Sequence, residues 1–190
     1  MPEKVTVGID WSMNSPSICI HTGNKWNYNN CEFKYFTKTK KLIIKADKFS
    51  GWPIPIYDES NDLNRWIENS KWAGSRLAHI PITFLGMEGY SYGSRGSLPF
   101  SIAENTAILK YTLKQFFPEI KLNIFAPGAI KKFATGKGNA DKLIMYDAFS
   151  AETQFDITKV IDTKPEGNPI SDIVDSYYIA KLTFYESEKS

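Results

Sequence analysis

The chain has 190 residues, 42% of them apolar and 23% charged, with a net charge of +2. That length suits one α/β domain with a full core, and the composition is ordinary for a soluble globular protein. No stretch reaches the roughly 18 consecutive apolar residues of a membrane span, and the bulk charge does not announce a nucleic-acid protein. Two cysteines, Cys19 and Cys31, give no disulfide framework and no metal-ligand spacing. The N-terminal MPEKVTVGID runs straight into a strand pattern without signal-peptide architecture, so a reducing cytoplasm is the expected setting.

In chain order, the first strand is expected at about Lys4 to Asp10, where Val5, Val7 and Ile9 alternate with Thr6 and Gly8 and the run ends in a carboxylate. A second strand is expected at about Ser17 to Thr22, entered through the turn Asn14-Ser15-Pro16. A third is expected within Cys31 to Thr37. The short connections suggest an antiparallel meander. SGWPIPIYDES reads as Pro-rich and irregular. A helix follows from about Ser60, with Leu63, Trp66 and Ile67 at helical spacing.

ITFLGMEGY, residues 82–90, is a continuous apolar run ending at Glu88 and reads as a central parallel strand. PFSIAENTAILKYTLKQF reads as a helix with Ile102, Thr106, Leu109, Leu113 and Phe116 on one side. LNIFAP, residues 122–127, is another short strand. Helices are expected at Gly128 to Ala134 and at Asn139 to about Glu152, separated by TGKG, and a last one in PISDIVDSYYIAKLTFYES, with Pro169 near its first turn. Three strands, helix, strand, helix, strand and then helices predict a ribonuclease H-like α/β fold: a mixed five-stranded sheet flanked by helices. No internal boundary is evident, so residues 1–190 are expected to form a single domain.

Charge is distributed in blocks. Residues 31–50 hold six lysines against Glu32 and Asp47, and residues 121–142 hold Lys121, Lys131, Lys132, Lys137 and Lys142 against Asp141 alone. Residues 143–175 reverse the sign, with seven acids against Lys159 and Lys164. Such blocks suit basic surfaces for a polyanion beside a separate acidic metal site. Solvated surface lysines are the alternative.

Four carboxylates stand out by position. Asp10 ends the first strand, Glu88 ends the buried strand before a Gly-rich loop, and Asp172 and Asp175 lie three apart on one face of the last helix. Ligand sites in α/β sheets form at the carboxyl ends of strands. Carboxylates at close range repel and raise each other's pKa unless cations neutralise them, and hard oxygen ligands suit magnesium or manganese. Two such ions about 4 Å apart activate a water and stabilise the leaving oxygen of a phosphodiester. Singly, Asp10 also reads as a turn residue, and Asp172 and Asp175 as partners of a helix dipole. The combination is what points to chemistry.

GID at 8–10, MEGY at 87–90, IKKFATGKGNADK at 130–142 and SDIVDSYYIA at 171–180 resemble the RuvC-like Holliday junction resolvases, over most of the chain from Val5 to Ala180. The resemblance implies a ribonuclease H-like fold, a homodimer, two magnesium ions per site with manganese able to substitute, and symmetric nicking of four-way DNA junctions. By motif, Asp10, Glu88, Asp172 and Asp175 match the catalytic, metal-binding acids, and Lys131 and Lys142 match basic residues that contact DNA near the site. Lys132 and Lys137 extend the same basic segment as DNA-binding candidates. Family members often continue GID with Pro-Gly, where this chain has Trp11-Ser12, and residues 38–80 match nothing in the family pattern. The compact length and the Lys- and Asn-rich composition resemble bacteriophage versions, which would act in a bacterial host's cytoplasm.

In YSYGSRGS, three nearby glycines permit close backbone approach. Arg95 is placed to meet a phosphate, and Tyr90 or Tyr92 to stack on an unpaired base. Packing of both tyrosines on the following helix is the alternative. TGKG reads either as a plain helix–helix turn or as a phosphate-binding turn carrying Lys137. His21 and His79 show no ligand spacing. The expected partner is thus branched DNA, not a membrane. The competing readings are a ribonuclease H-type nuclease on RNA–DNA hybrids, a non-catalytic branched-DNA binding module, and an actin-like phosphotransferase fragment, which this chain is too short to complete.

Overall fold

The structure, a computed structural model, describes residues 2–54, 62–90 and 98–189. Its centre is a sheet of seven strands in the order β4-β5-β3-β2-β1-β6-β7. β1 (Val5–Asp10), β2 (Ser17–Thr22) and β3 (Cys31–Thr37) form the expected antiparallel meander. β6 (Phe84–Glu88) pairs parallel with β1 on one side and with β7 (Leu122–Phe125) on the other. All six residues of β1 are buried, because both faces of this strand are covered.

All five expected strands are present, and the sheet is wider by two. β5 (Phe49–Pro53) lies parallel to β3, and the two-residue β4 (Lys45–Ala46) closes the edge. The irregular reading of SGWP is therefore corrected. Phe49 stacks on Phe33 with centroids 5.2 Å apart, and Gly51 leaves room for the Tyr35 ring, which a Cβ there would approach to 2.8 Å. From residue 55 on, that stretch lies outside the described residues, as do Tyr92 and Arg95.

Among the described residues, five α-helices complete the fold: α1 (Asp62–Leu77), α2 (Leu98–Phe116), α3 (Pro127–Thr135), α4 (Lys142–Thr153) and α5 (Ile170–Ser187). Strand alternation splits the core in two. Val5, Val7, Ile9, Leu85 and Met87 pack with Trp72, Leu77, Leu109 and Leu113 of α1 and α2. Cys19, Phe33 and Tyr35 pack on the opposite face with Ile173, Tyr177 and Ala180 of α5 and with Phe149 of α4. Phe116, expected on the buried side of α2, is 44% exposed. Among the described residues no helix is long and apolar enough to cross a membrane.

The turn TGKG ends α3. Gly136 takes φ 78°, and its N–H donates to Lys132 O. The Lys137 N–H donates to Thr135 Oγ1. Helix α4 starts later than expected, because the Asp141 side chain caps it by accepting from the Ile144 N–H at 2.9 Å. The segment connects α3 to α4, with these three donors engaged within the chain. The 31–50 lysine block is also largely engaged locally: Lys34 with Glu32, Lys41 with Asp162, and Lys45 and Lys48 over the rings of Trp52 and Tyr28.

Candidate active site

Alternation along β1 sends Thr6, Gly8 and Asp10 to the face opposite Val5, Val7 and Ile9. Phe84, Gly86 and Glu88 share that face on β6, where Gly8 stands beside Gly86 in register. Helix α5 crosses directly above this glycine pair. A Cβ on Gly8 would lie 2.5 Å from the Ser176 carbonyl oxygen, and one on Gly86 would collide with Thr183 Oγ1. Ser176 Oγ also meets Ser17 Oγ, on the residue paired with Asp10, at 3.1 Å. With α5 pinned so low, its first turns carry Asp172 and Asp175 to the strand ends where Asp10 and Glu88 emerge.

The four carboxylates interact as one electrostatic group. Burial raises the pKa of Asp10 well above its ordinary value, and the charges of Asp172, Asp175 and Glu88 raise it further. Burial pushes Asp172 up to about 6, against a hydrogen bond from Ser15 and the charge of Lys142. Asp175 is pushed up to about 7 by burial and by Glu88 and Asp172, with Lys142 and Lys131 opposing. Burial also raises Glu88, with Lys131 opposing.

Three of the four, Asp10, Glu88 and Asp175, line a cleft of about 440 Å³ together with Ser12, Lys131, Lys142 and Ser171, among others, and Asp172 lies behind them. Lys131 comes from α3 and Lys142 is the first residue of α4. Of the other expected DNA contacts, Lys132 and Lys137 are exposed and stand outside the cleft lining. Tyr90 rests against α2, its ring 4.8 Å from the Lys110 ammonium. His79 is exposed, and His21 is buried with its Nε2 accepting from the Asn27 N–H.

The donor set fits a hard divalent cation. It consists of carboxylate oxygens, and Asp172 Oδ2 is buried with no hydrogen-bond partner. Among the described residues, no three His, Cys, Asp or Glu side chains are already gathered tightly enough to hold an ion, so closing on one requires side-chain adjustment.

Several site residues carried no signal in the sequence. Trp11, in place of the family's Pro-Gly, is buried, and its indole N–H donates to Asn105 O of α2 at 3.3 Å, anchoring the β1–β2 loop. Ser12, Ser15, Asn168 and Ser171 form a hydrogen-bonded chain beside Asp172. They come from distant parts of the chain at no characteristic spacing.

No family model matches the sequence, and no curated protein does. Solved structures do match. The chain is similar to Thermus thermophilus RuvC at 10% identity and TM-score 0.61, over 97% of this chain and 96% of that one. It is also similar to T. thermophilus RuvC in complex with Holliday junction substrate at 12% identity and TM-score 0.63, over 98% and 96%. At such identities the likeness is one of architecture, and it spans nearly the whole of both chains: this protein has the ribonuclease H-like fold of the RuvC-like resolvases.

Proposed function

We propose that the protein is a metal-dependent, structure-selective DNA endonuclease that resolves four-way and other branched junctions by paired nicks. The observation that carries this reading is the clustering of Asp10, Glu88, Asp172 and Asp175, three of which, Asp10, Glu88 and Asp175, line one cleft bordered by Lys131 and Lys142. The likeness to a RuvC structure with Holliday junction substrate supports the substrate class.

The four carboxylates would hold two magnesium ions, with manganese able to substitute. Bound there, the ions would supply an activated water and charge stabilisation for phosphodiester hydrolysis. The protein's own groups prepare the site. Low-lying α5 fixes the carboxylates relative to the sheet. Lys131 and Lys142 offset carboxylate charge and offer donors to the polyanionic backbone. The described residues form one four-carboxylate cluster, and resolution needs two opposed cuts, so the acting form is a homodimer.

The test is incubation of the purified protein with labelled four-way junction, linear duplex and RNA–DNA hybrid, in magnesium, manganese or EDTA. Paired nicks in the junction alone, lost in EDTA, are expected. Preferential cutting of the hybrid would assign a ribonuclease H-type activity instead. Tight junction binding without cutting in any metal would make the chain a binding module.

A further inference from the structure

The side-chain amide of Asn168 joins three separate elements at the rim of the cleft. Its Nδ2 donates to Ser15 Oγ in the β1–β2 loop at 2.5 Å. Its Oδ1 accepts from Ser171 Oγ in the first turn of α5 at 2.8 Å and from Lys142 Nζ at the start of α4 at 3.2 Å. Lys142 Nζ also donates to Ser171 Oγ at 3.1 Å, closing a triangle. An ammonium group only donates, so the amide oxygen faces Lys142 and the amide nitrogen faces Ser15. The Ser15 N–H in turn donates to Ser12 Oγ at 2.9 Å, on the loop that leaves Asp10.

Lysine has three N–H donors on a flexible four-carbon stem. Two of the three in Lys142 are taken by Asn168 and Ser171, which restricts the ammonium to one place while leaving one donor unassigned. That place is the cleft, since Lys142 and Ser171 both line it. Asn168 itself is exposed, so its hydrogen bonds replace bonds to water and contribute little to the stability of the fold. Their consequence falls on the orientation of Lys142.

We infer that Asn168 is a positioning residue: with Ser171 it fixes the Lys142 ammonium at the cleft so that its remaining donor meets a phosphate oxygen of the DNA backbone. This deepens the nuclease reading and rests on it. Charge and position are separable here. Removing the Asn168 side chain leaves the charge of Lys142 in place but frees its stem. Removing the Lys142 side chain takes away both.

The experiment compares the parent, Asn168→Ala, Lys142→Ala and the double variant on a labelled four-way junction. It reads single-turnover cleavage in magnesium and the salt dependence of binding in EDTA. Asn168→Ala should slow cleavage about tenfold, since small misplacements of a positioned group are costly, with affinity and salt slope unchanged. Lys142→Ala should slow cleavage at least as much and also lower the log–log salt slope by about 0.9. The double variant should be no slower than Lys142→Ala. Ser171→Ala, which removes the other tether, should repeat the Asn168 pattern and serves if Asn168→Ala does not fold. Parental cleavage rates in both tether variants would overturn the inference while leaving the nuclease reading intact. Multiplying losses in the double variant would overturn it in the same way. A parent that cuts no DNA would remove both readings, and that result is seen before any variant is made.

Discussion

Gly8 of β1 and Ala180 of α5 stand backbone against backbone. A Cβ built on Gly8 would collide with the Ala180 amide nitrogen and lie 2.5 Å from the Ser176 carbonyl oxygen. Neither atom belongs to a side chain that can swing aside, so Gly8→Ala must move the helix. Overpacking of this kind costs about 1–3 kcal/mol or more, which for a chain of this size corresponds to a melting temperature lower by about 10 °C at the upper end. Cleavage should fall further than stability accounts for, because α5 carries Asp172 and Asp175. Gly128→Ala in α3, where a Cβ meets only Gly138 O at 3.4 Å, is the control and should melt like the parent. Equal melting of the two variants would refute this account of how α5 is seated.

Asp10→Asn should abolish cleavage while junction binding persists. The amide is nearly isosteric but lacks the charge that holds magnesium. It also removes one of four mutually repelling carboxyl groups, so the metal-free protein should melt no lower than the parent and, at alkaline pH, higher. Melting curves and nicking assays on the same preparation check both halves. Near-parental nicking would take Asp10 out of the proposed metal site.

The same group makes metal-free stability depend on pH. Asp172 and Asp175 are pushed up to about 6 and about 7, and Asp10 and Glu88 are also raised. Unfolded, these carboxyl groups titrate near 4. Between those values the folded state holds more protons than the unfolded one, so stability falls as pH rises. Their contribution is fully present below about pH 4 and is lost as pH climbs through about 6 and 7. In EDTA, melting should therefore be lower at about pH 8 than at about pH 5, and magnesium at the higher pH should recover the difference by binding the ionised form. A melting temperature in EDTA that stays flat over this range would contradict the clustering of the four acids.

The strands that were legible in the sequence are those whose burial is written as alternation or as a continuous apolar run: Val5-Val7-Ile9, Cys31-Phe33-Tyr35 and the stretch ending at Glu88. β5 was not legible because its strand character comes from outside. Phe49 is placed by Phe33 and Gly51 by Tyr35, both on β3, while the glycine and proline of SGWP read locally as a loop. The candidate acids were legible because a carboxylate at the end of a buried strand has a restricted set of explanations. Their companions were not. Lys142 was named from its basic segment, but Ser15 and Asn168, which meet it or its partner, come from other parts of the chain, and no local pattern encodes their contact. In the lysine block at 31–50, Lys34, Lys41, Lys45 and Lys48 meet Glu32, Asp162, Trp52 and Tyr28, partners that the charge pattern alone does not specify.

Junction selectivity needs something beyond the carboxylates, because every phosphodiester presents the same group to a metal. Tyr90 follows Glu88 by two residues and is 38% exposed. Among the described residues its recorded contact is with Lys110 on α2, whose ammonium lies 4.8 Å from the ring centroid and 3.4 Å from the hydroxyl. An exposed cation–π contact of this kind is worth about 0.5–1 kcal/mol, whereas stacking on a base is worth roughly 1–3 kcal/mol. The ring therefore gains by leaving Lys110 for an unpaired base at a crossover. Unstacking an intact duplex costs a few kcal/mol and cancels that gain, so the exchange favours branched DNA. Tyr90→Ala should lower junction cleavage about tenfold while leaving magnesium-dependent melting unchanged, and a junction pre-opened with unpaired bases should restore much of the rate. Lys110→Ala, which frees the ring, should cut the intact junction at least as fast as the parent. If Tyr90→Ala cuts intact junctions at the parental rate, Tyr90 is not the residue that reads the crossover.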